Sequence, residues 1–506
     1  MKFFLIFVFS VIIFFPINVK ADIAFLLHEA HGVSGEMTGA GHIAIYLSNI
    51  CADPPPINLR QCREGEQKGV VVATYPKYGA VKDYEWFAMP LMPYIYGVDS
   101  ENAVPLYANG EVRTLLSETN RIKYLSKVVP RLPDGTLPIG RWRGSIGQGL
   151  NRDLFAFTVK TTPEQDARFV EKYSVAGENN NFNVMYRNCA DFTMDIMNSY
   201  YPNSTSRDFI NDLTMTTPKG VGRSFKKYAA SRPDLLFQVK KYPQLDGTIM
   251  RSFGLRNFTE TAFTSKKYVV TQLLTMPVLL PMFAGTYYLT GYFNVDSAYQ
   301  DYPSAEMARL NFEKYSLLKQ PKESGNKENK EVLARIEAGR KAEKKRIFGE
   351  KETWAKYRRE LQPMLENAIK DRFFADELEV KQFYSNLEAQ SEPFLDEKGE
   401  VMLRVNNYGQ EKILGITRNN ILSENSDVRL AYKMMLVKVK AELKAAEKNR
   451  ETLEVFEANW NLLNDLSKRA SQLPPLEIPN GARFLTTPKK KTFKKKFTEI
   501  LVKVLR

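Results

Sequence analysis

The sequence predicts an α+β protein in which an antiparallel sheet with a cysteine-bearing helix precedes a mainly α-helical C-terminal region. Apolar runs at residues 22–27, 42–47 and 69–74 have the length and β-branched content of strands. Apolar residues recur at helical spacing after Asn188 and again beyond residue 302. With 506 residues, the chain is too long for one hydrophobic core, so several domains are expected.

Residues 1–21 are typical of a secretory signal peptide. Lys2 precedes a long apolar run, and Ala21 supplies a small residue for cleavage. No cysteine follows the predicted cleavage site, so a lipoprotein signal is not expected. We therefore expect an exported protein of the periplasm or cell envelope, with membrane attachment as an open alternative.

Export changes how the three cysteines are interpreted, because disulfides form in oxidising compartments. Cys51 and Cys62 are close in sequence and flank the proline loop 54–56, so we expect them to form a disulfide. Cys189 is then the odd thiol. An unpaired thiol in an exported protein is expected to be either buried or functional.

The first predicted domain comprises residues 22–257 and contains every histidine and cysteine of the chain. After the strands at 22–27, 42–47 and 69–74, a fourth strand is expected at 151–159. A helix is expected from Pro163, with Thr162 as its N-cap.

Cys189 is predicted to open an amphipathic helix with Asn188 as its N-cap. Phe192 and Ile196 share its side of that helix, so the thiol is expected to face the packing surface. The positive helix end and its unbonded amides favour a thiolate, which predicts a lowered cysteine pKa. The alternative is a buried structural cysteine, because free cysteines are among the most buried residues.

Residues 258–301 are predicted to form a hydrophobic connector or a membrane-associated segment. Residues 268–295 carry no charge and are numerous enough to span a bilayer. Pro277 and Pro281 interrupt this run, and lysines precede it on the side that export would place outside. A re-entrant or interfacial hairpin, or a buried connector, is therefore expected in place of a simple span.

Residues 302–480 are predicted to form an α-helical domain of coiled-coil character, rich in lysine and glutamate. One long helix is expected over residues 427–471, and a small hairpin around residues 395–405. Residues 320–330 are expected to be a flexible linker. No residue pattern in these helices indicates a catalytic site, so a structural role is expected for them.

Residues 481–506 form a predicted basic tail. The chain carries a formal charge of +14, and residues 489–506 contain eight Lys or Arg and one Glu, a net +7. Apolar residues at helical spacing among these cations predict an amphipathic helix on an anionic membrane surface. A solvated tail is the alternative, and no nucleic-acid partner is expected for an exported chain.

Two short motifs resemble a known superfamily. The motif Gly41-His-Ile-Ala-Ile-Tyr46, followed much later by Asn188-Cys-Ala-Asp-Phe192, resembles the papain-like NlpC-type thiol hydrolases. The order of histidine strand before cysteine helix is similar to their circularly permuted branch, which includes lecithin retinol acyltransferase. The resemblance covers roughly residues 22–210 and implies a permuted papain-like fold for the first domain.

The resemblance also implies roles for individual residues. Cys189 would be the nucleophile and His42 its base, while Thr74 occupies the orienting position where the family usually has a histidine or carboxylate. The Cys189 amide would bind the oxyanion, helped by Tyr186 or Asn188. A thioester would form on an amide or ester bond of a lipid or peptidoglycan-derived substrate, without a cofactor.

Three further interpretations stay open at this stage. The apolar residues 88–96 are expected either to line an acyl groove or to form a buried loop. The three histidines His28, His31 and His42 match no common ligand spacing, so no metal is expected. The alternative to an enzyme is a catalytically silent envelope scaffold whose helices bind a partner.

Overall fold

A computed structural model describes residues 21–32, 39–53, 58–66, 69–74, 86–126, 131–135, 145–173, 186–212, 215–319, 327–407 and 409–474. The predicted signal peptide up to residue 20 and the predicted tail lie outside the described residues, as do the proline loop and most of the predicted linker.

The chain is of the α+β class, with an antiparallel sheet in its N-terminal part and helices in its C-terminal part. The six strands of the main sheet are β1 (Ala21–His28), β2 (His42–Leu47), β5 (Val70–Thr74), β6 (Trp86–Pro90), β7 (Leu154–Thr161) and β8 (Gln238–Tyr242). Their order is β6-β5-β2-β1-β7-β8, and all neighbours are antiparallel. The predicted strands all lie in this sheet.

A small hairpin beside the sheet carries the predicted disulfide. Strands β3 (Ile50–Asp53) and β4 (Asn58–Gln61) pair antiparallel, with Cys51 opposite Arg60. Cys51 and Cys62 are bonded, so the prediction is confirmed. Cys189 is the free cysteine of the chain.

Side-chain alternation along the strands gives the main sheet two buried faces. On β1, Ile23, Phe25 and Leu27 belong to one core, and Ala24 and Leu26 to the other. A sheet buried on both faces fits the continuous apolar character of these strands.

The first face packs against three helices of the N-terminal part. These are α3 (Pro163–Tyr173), α4 (Cys189–Tyr200) and α5 (Pro218–Ala230). The Cys189 helix has the predicted start, and its Ala190, Ile196 and Met197 join this core. Thus α4 lies on the side of the sheet to which Ile43 and Ile45 point.

The second face belongs to a core that continues into the C-terminal helices. Its N-terminal members include residues of α1 (Leu91–Tyr96) and α2 (Gly110–Asn120). Buried residues from 354 to 470 belong to the same cluster. A single hydrophobic core therefore crosses the predicted boundary at residue 302.

The C-terminal part consists of helices and a small sheet. Four short helices precede it in the chain: α6 (Phe258–Thr264), α7 (Lys266–Thr275), α8 (Leu279–Thr286) and α9 (Val295–Asp301). The elements of the C-terminal part are α10 (Ala305–Lys319), α11 (Lys327–Phe348), α12 (Lys351–Lys370), α13 (Glu377–Gln390), β9 (Ser391–Leu395), β10 (Val401–Asn407), β11 (Gln410–Gly415), α14 (Val428–Ala446) and α15 (Leu453–Ala470). The predicted hairpin is present, with β11 as a third strand.

The prediction of one helix over residues 427–471 is wrong, because two packed helices occupy this range. Asn449 has a positive φ of 50° between them, and Thr452 caps the second helix by accepting from the Val455 amide. A left-handed residue ends a helix, and a threonine N-cap starts the next one.

The connector at residues 258–301 folds into short helices. Helices α7 and α8 are ten and eight residues long and are separated by Met276–Val278, which includes Pro277. Within the described residues, no helix is both long and apolar enough to cross a bilayer.

Candidate active site around Cys189

Helix α4 starts at Cys189 because a capping box fixes its first turn. The Asn188 side-chain oxygen accepts from the Ala190 and Asp191 amides at 2.7 and 3.1 Å. In return, the Asp191 carboxylate accepts from the Asn188 amide at 3.1 Å. The cysteine therefore occupies the first helical position with a defined backbone geometry.

The Cys189 sulfur lies at the end of β2. It accepts from the Ile43 backbone amide, and the Cys189 and Ala190 amides also favour its thiolate. Burial outweighs these amides and raises the Cys189 pKa to about 11, with a small added contribution from Asp191. The predicted lowering of this pKa is therefore wrong for this conformation, because desolvation exceeds the effect of the helix end. The thiol is protonated at neutral pH.

His42 lies one peptide from this sulfur contact but points elsewhere. It pairs with His28 across β1 and β2, and the two ring centroids are 5.1 Å apart. His28 is fully buried, and its Nε2 is 3.3 Å from the Tyr94 hydroxyl. His42 therefore lies on the same face of the sheet as Ala44, where Tyr94 of helix α1 packs, whereas Ile43 faces helix α4.

The structure thus brings Cys189 and His42 to the same end of one strand from opposite sides of the sheet. The Ile43 amide contacts the sulfur. Catalysis by Cys189 and His42 together stays a prediction.

The other two histidines stay neutral near pH 7. Burial, reinforced by His42 and Arg152, holds the pKa of His28 well below its usual value. Burial, with Arg152 and Arg113, lowers the pKa of His31 to about 4. Across the described ranges, no group of three or more His, Cys, Asp or Glu residues could hold a metal ion.

Thr74 lies at the end of β5 and is buried. It shares its strand face with Val72, the partner of Ile45, and this is the face of helix α4. Its hydroxyl makes no hydrogen bond with the described residues. Thr74 is thus directed toward the side of Cys189, and its role in orienting His42 stays a prediction.

The two predicted oxyanion helpers are differently placed. The Asn188 side chain serves as the helix cap, and its Nδ2 donates to the Thr216 carbonyl at 2.9 Å. Asn188 therefore positions Cys189. Tyr186 is 59% exposed, and its carbonyl accepts from Arg207 at 3.4 Å.

Sequence reasoning missed the network that anchors this helix start. Arg207 donates to the buried Asp191 carboxylate at 2.8 Å, and the Thr216 hydroxyl also donates to it. The spacing of Asn188 and Asp191 is a local sequence signal for the capping box. Arg207 and Thr216 come from later loops, and no local pattern identifies them.

A second polar site lies between the two parts of the chain. A cavity of about 660 Å³ is lined by residues of β8, α14 and α15 and by Glu29. Burial raises the pKa of Glu29 to about 7, with Asp153 adding to the shift. Its lining mixes acidic and basic side chains, so its charge favours no single class of ligand.

Searches against models of protein families, curated proteins and solved structures gave no match for this chain. The candidate site is therefore argued from its own geometry. Its defining feature is a half-buried cysteine at a capped helix start, whose buried sulfur lies against the backbone of a histidine-bearing strand.

Proposed function

We propose that the chain is an exported, cysteine-dependent hydrolase or acyltransferase with a permuted papain-like first domain. The supporting observation is the contact between the Cys189 sulfur and the Ile43 amide, one residue from His42. Thioester chemistry needs a base near the cysteine nucleophile, and His42 is one residue from this contact.

His42 is the base in this proposal. Because the thiol is protonated at neutral pH, a base must take its proton before the sulfur attacks. In the proposed reaction, the His42 ring accepts this proton. His42 is the first residue of β2 and follows Gly41, whose φ of 68° belongs to a turn, so only one side of it is fixed by strand pairing.

The reaction then follows acyl transfer through a thioester. The sulfur attacks the carbonyl carbon, and the Cys189 backbone amide stabilises the oxyanion. The amine or alcohol leaves with the proton held by His42, and water or another acceptor then cleaves the thioester. The substrate class is a lipid or peptidoglycan-derived amide or ester.

The apolar segment 88–96 is mostly buried, although Met92 and Tyr96 line the cavity of about 660 Å³. Its residues form the end of β6 and helix α1, where Tyr94 and Ile95 are fully buried in the core. An acyl-binding role for this segment stays a prediction.

A second candidate function is a catalytically silent envelope scaffold. The observation that favours it is the placement of His42 against His28, together with the raised pKa of Cys189. In this case the sheet and its helices would present a binding surface, and Cys189 would be a structural thiol.

The rate of alkylation of Cys189 by iodoacetamide at pH 7 distinguishes these two functions. For the enzyme we expect rapid labelling that falls at least about tenfold in His42→Ala, since the base sets the thiolate fraction. The matched control is His31→Ala, which removes a histidine of the neighbouring turn. Slow labelling at pH 7 in all three proteins would favour the scaffold, with a labelling rate that reaches half its maximum near pH 11.

A further inference from the structure

Helices α7 and α8 form an exposed apolar hairpin, which we define as residues 266–292. Ten exposed large apolar residues lie within it: Tyr268, Val270, Leu273, Leu274, Met276, Val278, Met282, Tyr288, Leu289 and Tyr292. Leu274 and Val278 near its tip are 79% and 77% exposed. A contiguous patch of this kind marks an interaction surface.

The apolar hairpin is held firmly at its base. Lys219, itself buried, donates to Glu260 at 2.6 Å and to the Tyr287 hydroxyl at 3.0 Å. Thr290 accepts from the Asn211 side chain at 3.0 Å. Phe293, directly after the hairpin, is buried in the core beneath the sheet. The tip therefore projects from a fixed support.

The order of residue types along the hairpin matches a membrane interface. Its tip carries the aliphatic side chains Leu274, Met276 and Val278, whereas Tyr268, Tyr288 and Tyr292 lie toward its base. Lys266 at the start of α7 is exposed. Tyrosines and lysines gather at the headgroup level of bilayers, and aliphatic residues lie deeper.

Two threonine hydroxyls of the hairpin are bonded within it, whereas the buried Gln272 Oε1 has no hydrogen-bond partner among the described residues. Thr275 and Thr290 each donate to the carbonyl four residues earlier, at 2.8 and 2.7 Å. At the tip, the Leu279 amide donates to the Met276 carbonyl, and Pro277 has no amide hydrogen. Hydrocarbon cannot accept hydrogen bonds, so hydroxyls that are bonded internally suit lipid better than unbonded ones.

The hairpin has the length of a single-leaflet insertion. A ten-residue helix such as α7 is about 15 Å long, roughly half of a ~30 Å hydrocarbon core. No charged residue occurs between Tyr268 and Val295. We therefore propose that residues 266–292 insert into one leaflet of a phospholipid bilayer and anchor the protein to its surface.

Flotation of the full chain with vesicles tests this proposal. Vesicles of phosphatidylcholine alone are used, because a neutral surface gives no electrostatic attraction to the basic tail. The tip variant Leu274→Glu/Val278→Glu is compared with Leu318→Glu/Leu378→Glu, which alters exposed leucines on α10 and α13. All samples keep the apolar N-terminus and the basic tail.

We expect the wild type and the control variant to float, and the tip variant to lose at least about tenfold in partitioning. A protein that stays unbound, or equal binding by both variants, overturns the proposal. A lipid-free dimer of the wild type that the tip variant converts to a monomer assigns the hairpin to a second copy and also overturns it. Equal melting temperatures of the variants show that both are folded.

Insertion depth provides a second measurement. In Val278→Trp, lipids brominated in the middle of their acyl chains should quench the tryptophan fluorescence added by the substitution, whereas Leu318→Trp should keep its added signal. Equal quenching of the two variants contradicts insertion by the tip. Neither measurement depends on Cys189, so a failed thiol reaction leaves this result unaffected.

Discussion

The Cys189 sulfur accepts a hydrogen bond from the backbone amide of Ile43. This contact joins the start of helix α4 to the first peptide of β2, and it defines where chemistry could occur. Burial of the sulfur outweighs this hydrogen bond and keeps the thiol protonated at neutral pH.

Replacing Cys189 with serine should abolish turnover and leave the fold intact. Serine is nearly isosteric, but its hydroxyl is a much weaker nucleophile without a strong base. The measurement is the acyl adduct trapped on the protein by an ester substrate, detected as a mass increase that hydroxylamine removes. Turnover retained by Cys189→Ser would falsify the nucleophile assignment.

Removing the helix cap should destabilise the protein and disturb the thiol. Asn188→Ala loses the acceptor for two amides and the donor to Thr216, which should cost about 1–2 kcal/mol. Asn188→Asp keeps the acceptor and serves as the matched control, with a smaller loss. Both are measured by denaturant unfolding. A similar loss in both variants would show that the Thr216 contact, and not the cap, holds the helix start.

Gly41 should tolerate no side chain. Its φ is 68°, and an added Cβ would overlap the His28 carbonyl and the Leu255 side chain. Gly41→Ala should therefore destabilise the protein by more than about 1 kcal/mol, through strain and displacement of His42. Gly254→Ala is the control, because its Cβ would meet nothing within 4 Å. Equal melting temperatures for the two variants would contradict the turn geometry.

Asp212 should make stability depend on pH. Burial, which exceeds the effect of the Thr217 hydrogen bond, raises its pKa from 3.8 to about 7. Above pH 4 the folded state then holds a proton that the unfolded state has released. The contribution of Asp212 to the free energy of unfolding is therefore largest below pH 4. It decreases as the pH rises to 7, by at most about 1.4 kcal/mol per pH unit.

Substitution of this carboxyl provides the measurement. In Asp212→Asn, the fall in melting temperature between pH 5 and pH 8 should be smaller than in the wild type, because the amide does not titrate. Asp465→Asn, at a carboxyl whose side chain is 58% exposed, should leave the fall unchanged. An unaltered fall in Asp212→Asn would show that this carboxyl does not control it.

Local patterns were sufficient for the elements that carry the candidate site. The bounds of β2 follow from the run His42–Leu47, and the start of α4 follows from its Asn188 cap. Both signals lie within a few residues of the element they define. The break between α14 and α15 also had a local signal in Thr452, which the long apolar stripe concealed.

Properties that depend on distant residues could not be predicted in this way. The Cys189 pKa is raised because the sulfur is buried beneath the sheet, and the position of Cys189 at a helix start does not reveal that burial. The face to which His42 points depends on its register with His28. Alternation fixes relative faces within a strand, but which face α4 covers is decided by the whole fold.

The core shared by the two parts of the chain decides how the protein can be cut for study. The Leu106 amide bonds the Ile416 carbonyl at 2.6 Å, and Lys438 contacts Asp246 at 3.1 Å. A fragment that ends near residue 257 would lose these partners and expose buried apolar surface. Recombinant work on the thiol should therefore use the intact polypeptide, since the isolated N-terminal fragment is expected to aggregate.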